Sequence, residues 1–96
     1  MNILDSIVTQ AAAIAAIRRD IHAHPELCFE ENRTADVVAK QLTNWGIPIH
    51  RGLGTTGVVG IVKSGTSSRA IGLRADMDAL PMQEFNTFAH ASSIAT

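Results

Sequence analysis

The hydrophobic period of this chain changes at Gly46, and no other feature limits its fold as much. Before that point Ile3, Ile7, Ala11, Ile14, Ile17 and Ile21 recur at steps of three and four, the pattern of an amphipathic helix with one buried stripe. Pro25 ends this helix. It also pushes His24 out of the helical region, so Ala23-His24-Pro25-Glu26 reads as a turn. A second helix is expected from Glu30, because Glu30 and Glu31 suit its positive N-terminus and Ala35, Val38, Leu42 and Trp45 line one face. Gly46 is the natural C-cap.

After Gly46 the pattern becomes that of strands. Residues 47–51 form a short candidate strand, with Pro48 arguing for an edge or a strand start, and residues 58–63 are a β-branched run. The polar stretch Ser64-Gly65-Thr66-Ser67-Ser68 joins this run to residues 70–75, which predicts a hairpin between the second and third strands. The order helix, helix, strand, strand, strand predicts an α/β fold, two N-terminal helices followed by strands of a mixed sheet.

The third strand leads into Asp76 and Asp78. Side chains two apart on extended backbone point the same way, so both carboxylates can face one point, and the carboxyl ends of strands are where α/β folds place ligands. A strand-end turn explains the pair equally well. Gly52-Leu53-Gly54-Thr55-Thr56-Gly57 fits the letters of a dinucleotide fingerprint, with Asp76 about 20 residues further on. The context argues against it: the fingerprint needs a helix to begin at its last glycine, and Val58-Val59-Gly60-Ile61-Val62 is strand-forming. A glycine-rich loop between strands is the better reading.

The histidines carry no ligand pattern of their own. His22 and His24 are two apart near a helix end, His50 lies in a strand and His90 in the tail, so no helical H-x-x-x-H pair exists. A single cysteine, Cys28, excludes an internal disulfide framework and suits a reducing compartment, and packing is its plainer role. With 96 residues, 18% of them charged, and a net charge of −1, the chain has no electrostatic case for nucleic acid or an anionic membrane. Residues 3–17 lack both a basic leader region and a long apolar run, which points to the cytoplasm.

Four blocks in one order make the letters themselves informative. They are Arg18-Arg19-Asp20-Ile21-His22-Ala23-His24-Pro25-Glu26-Leu27, then Phe29-Glu30-Glu31, then Gly54-Thr55-Thr56-Gly57-Val58-Val59-Gly60, then Leu73-Arg74-Ala75-Asp76-Met77-Asp78-Ala79-Leu80-Pro81-Met82. Together they resemble the N-terminal part of the metal-dependent amidohydrolases that include hippurate hydrolase, relatives of aminoacylase and its metallopeptidase superfamily. The resemblance implies the start of a zinc-peptidase-like catalytic domain, divalent metal ions (Mn, Co or Zn) as cofactors, and an N-acyl amino acid as substrate, its amide bond hydrolysed to a carboxylic acid and an amino acid. It also implies a supporting role for Asp78, which would steady a metal-binding histidine, and puts Asp76 where the wider superfamily has a metal ligand. His24 and Glu26 lie in a family-like block and are candidates to stand near the site.

The departures from the family pattern are as informative. After Asn86-Thr87-Phe88 the family runs on to His-Ala-Cys-Gly-His-Asp, whereas this chain reads Ala89-His90-Ala91-Ser92-Ser93-Ile94-Ala95-Thr96. Cys28 stands where glycine is common. The expectation is that residues 1–96 are a partial N-terminal segment of the catalytic domain with no second domain, lacking most metal ligands and the general base. Such a chain is expected to bind no metal stably and to be inactive alone, needing the missing C-terminal portion or associating with itself. The alternative is a non-enzymatic domain that pairs with a partner through an exposed sheet edge.

Overall fold

A computed structural model describes residues 3–93. These fall into two compact units, one made of residues 3–25 with 81–93 and the other of Glu26–Leu80. Helix α1, Asp5–Ala23, belongs to the first. It stops where the sequence requires: the His24 amide still bonds the carbonyls of Asp20 and Ile21, and His24 then leaves the helical region at φ −121° and ψ 64°, ahead of Pro25. The expected buried stripe is only half present. No residue of α1 is buried; Ile17 and Ile21 are half-buried, while Ile7 remains 60% exposed. The periodicity fixed the helix type, but a stripe is covered only where another element lies against it.

The second unit contains helix α2, Asn32–Asn44, and two strands, β1 at Ile49–Leu53 and β2 at Gly57–Gly60. The helix starts two residues later than the acidic pair suggested, with Glu31 at its N-cap position. Its own N-cap side chain does not close the first turn. Instead the Glu26 carboxylate accepts from the backbone N–H groups of Arg33 and Thr34, at 2.9 and 2.6 Å, the amides that a capping side chain ordinarily satisfies. At the other end the Gly46 amide donates to Thr43 and the Ile47 amide to Leu42, with Gly46 at φ +74°, a Schellman stop. Ala35 and Ala39 form the buried apolar face of α2, and the small side chains let the hairpin approach it. Leu42 and Ile47 close over Gly60. Trp45, expected on that face, is 53% exposed because the chain has already turned away at the C-cap.

The sheet is an antiparallel pair, with Ile49 opposite Gly60, His50 opposite Val59 and Arg51 opposite Val58. Gly52 sits at an irregularity between Arg51 and Leu53 with φ +92°, which lets β1 bend into the turn. The glycine-rich segment is therefore the loop of a hairpin, and a strand, not a helix, follows its last glycine. This corrects the expected pairing: the hairpin joins the first and second strands rather than the second and third. Residues 70–75 form no strand, and Ile71 and Leu73 are 88% and 93% exposed. Extended backbone becomes a strand only against a hydrogen-bonding neighbour, and among the described residues none lies beside this segment. The arrangement is α/β, with an antiparallel pair in place of a mixed sheet. Among the described residues no helix is long and apolar enough to cross a membrane.

The turn makes a mutational contrast. A Cβ at Gly57 would clash with the Leu53 carbonyl oxygen, whereas Thr55 already holds a β-branched side chain at φ 78°. Gly57→Ala is expected to lower the thermal midpoint and Thr55→Gly to raise it, each by about 1 kcal/mol or more of stability, as read by circular dichroism melting.

A second contrast concerns pH. Partial burial pushes the Glu26 carboxyl up, but the Thr34 and Arg33 amides and the Arg33 charge outweigh it, and the group lies below its ordinary value. Its stabilisation is present above the unfolded-state pKa and is lost as pH falls through the lower folded value. Glu26→Gln is expected to cost about 1 kcal/mol near neutral pH, with the gap from wild type closing as the solution is acidified, in urea unfolding series.

Candidate functional site

Within the second unit, the turn of the hairpin, the approach to α2 and residues 73–78 enclose a cavity of about 600 Å³. Its polar wall comprises Cys28, Glu31, Thr56, Arg74, Asp76 and Asp78. Two contacts build that wall. The buried Thr56 hydroxyl donates to the buried Glu31 carboxylate at 2.7 Å, fastening the hairpin turn to the start of α2. The Ala79 amide donates to the Glu26 carbonyl at 2.8 Å, anchoring the backbone directly after Asp78. Phe29, also on the wall, adopts φ 64°, an uncommon conformation for a bulky side chain beside a cavity.

The structure brings Asp76 and Asp78 to this one cavity without a strand beneath them. Both are exposed, and Asp76 forms an ion pair with Arg74 at 2.7 Å. Their charges reach Cys28: loss of hydration, then the carboxylates of Asp78, Glu31 and Asp76, push the thiol up. A raised thiol is a poor nucleophile near neutral pH. The packed role expected of Cys28 is not what the structure shows, since the residue is exposed, and the quiet chemistry of its thiol rests on lost hydration and the surrounding negative charge.

The remaining candidates have other employment. Glu26 caps α2. His24 belongs to the other unit, where its Nδ1 lies 2.9 Å from the Asp20 carbonyl oxygen. In that same unit the structure assembles a cluster that sequence reasoning missed. His22 Nε2 lies 3.0 Å from Glu84, Asn86 Nδ2 donates to Glu84 at 2.9 Å, and the Ser92 amide donates to it as well. The Ser92 amide and Asn86 hold the Glu84 carboxyl down to about 2, so it is ionised at any ordinary pH. The signal was the lone acid at position 84 and a histidine on the last turn of α1, 62 residues apart, which no local pattern joins. Ser92 and Ser93 of the divergent tail are described; residues 94–96 lie outside the described residues.

The chain is 45% identical over 92 residues to hippurate hydrolase of Campylobacter jejuni, a match covering 96% of this chain and 24% of that protein. The chain resembles the amidohydrolases at family level. Thermostable carboxypeptidase 2 of Saccharolobus solfataricus is 40% identical over 82 residues, 84% of this chain and 21% of that one. N-acyl-L-amino acid amidohydrolase of Geobacillus stearothermophilus is 42% identical over 80 residues, 82% of this chain and 21% of that one. This amidohydrolase-like chain thus spans about a quarter to a fifth of the length of these relatives. No family model matches it, and no solved structure matches it.

The divalent ions that the amidohydrolase resemblance implies do not fit these side chains. Among the described residues no three of His, Cys, Asp and Glu are grouped to hold an ion, and the Asp76 carboxylate is engaged by Arg74.

The electrostatic reading of Cys28 has a direct check. Its alkylation by iodoacetamide at pH 8 is expected to be slower than that of free cysteine, and Asp78→Asn is expected to speed it by lessening the negative charge beside the sulfur. Equal rates in the two proteins, followed by mass spectrometry, would contradict that coupling.

Proposed function

We propose that this chain is a segment of the catalytic domain of a cytoplasmic amide hydrolase acting on N-acyl amino acids, and that it does not turn over substrate by itself. The observation that carries the reading is the 45% identity over 92 residues to a protein named hippurate hydrolase. The cavity beside Asp76 and Asp78 adds to it, because residues of the family-like blocks 29–31, 54–60 and 73–82 line its wall and Glu26 of the block 18–27 anchors Ala79. In this reading Asp78 supports ligands supplied by other residues, and Asp76 keeps its partner Arg74. The free Cys28 suits a reducing compartment.

A second reading has its own support. Ile71 and Leu73 form an uncovered apolar extended segment, which could add to a partner's sheet edge without any chemistry.

One experiment separates the two. The chain is mixed with Campylobacter jejuni hippurate hydrolase lacking the matching 92 residues, in buffer containing manganese, cobalt or zinc, and glycine release from hippurate is followed. The hydrolase reading expects release from the mixture, none from either part, and loss of about 100-fold or more with Asp78→Ala. Release by the chain alone, or complex formation without any release, would overturn it, the latter in favour of partner docking.

A further inference from the structure

The unit that contains α1 has a cavity of its own, about 270 Å³, lined by Arg18, Arg19, His22, Glu84, Phe88 and His90. Its charge balance is unlike that of the chain. Two arginines and one glutamate line it, although the whole sequence carries a net charge of −1. The single carboxylate is already committed, since His22, Asn86 and the Ser92 amide all engage Glu84. Neither Arg18 nor Arg19 has a hydrogen-bond or ion-pair partner among the described residues. The His90 ring is steadied by stacking on Phe88, with centroids 4.1 Å apart and planes inclined by 24°.

We propose that this cavity binds a small oxyanion of the phosphate class, held by the Arg18 and Arg19 guanidiniums against the wall made by His90 and Phe88. Two planar forks with no internal acceptor are matched by an ion that offers several oxygens at once and carries more than one negative charge. A monovalent carboxylate offers two oxygens and less charge at neutral pH, so it engages the pair less completely. Committing Glu84 to three internal donors keeps the one acidic group of the wall occupied while the cations stay available. The proposal is independent of amide hydrolysis, because every residue it uses lies in the unit without Asp76 and Asp78.

The test is a titration of the isotopically labelled full chain with inorganic phosphate at constant ionic strength, followed by amide and side-chain NMR, with sodium chloride and acetate as parallel arms. The expected result is a saturable shift of the Arg18, Arg19 and His90 signals at millimolar phosphate, at least tenfold tighter than with acetate and absent with chloride. Arg18→Gln and Arg19→Gln, both exposed and both tolerated by a helix, are each expected to weaken binding about tenfold. Arg69→Gln, in the other unit, is expected to leave binding unchanged. A non-saturable response, equal binding of acetate, or retention of full affinity by the Arg18→Gln and Arg19→Gln proteins would overturn the proposal.

Discussion

Glu26 ties the start of α2 to the backbone at Ala79 within its unit. Its carboxylate closes the first turn of α2 by accepting from Arg33 and Thr34, and its carbonyl receives the Ala79 amide. One residue thereby fixes the start of the helix and the backbone that presents Asp76 and Asp78. A helix leaves its first amides without partners, and a carboxylate placed there gains both hydrogen bonds and the favourable end of the helix dipole. The buried apolar core beside it consists of little more than Ala35 and Ala39, so polar ties are a large share of what orders this unit.

The same economy explains the cavity. Glu31 at the N-cap position is turned inward to Thr56 instead of capping its own helix, which is possible because Glu26 has taken over that task. The hairpin turn is then drawn against α2, and the positive φ values of Gly52, Gly54 and Thr55 let the chain reverse within a few residues. What results is a cavity with carboxylates on its wall and no group of side chains competent to hold a metal ion among the described residues. The family-level likeness to amide hydrolases therefore rests on shared sequence over this segment.

Much of the local structure was legible in the residues. The end of α1 before Pro25, the Gly46 stop of α2 and the glycine loop between two strands all follow from backbone chemistry confined to a few neighbouring positions. The same is true of the rejected dinucleotide fingerprint, which failed because β-branched residues follow its last glycine. The third strand and the buried face of Trp45 were misread, because each needs a neighbour that periodicity does not supply. The gathering of His22, Asn86 and Ser92 on Glu84 was not legible at all, since those residues are brought together from distant positions.

By itself the sequence determined the helices, the turn chemistry and the family-level likeness, because these depend on φ/ψ preferences, caps and residue identities that act over one or two turns of chain. Only the tertiary structure decided that Glu26 caps α2, that Cys28 faces three carboxylates, and that Arg18 and Arg19 border a cavity whose one acid is already engaged. The reason is physical: a carboxylate, a thiol or a guanidinium has no fixed role until burial and partners determine the state in which it is most stable.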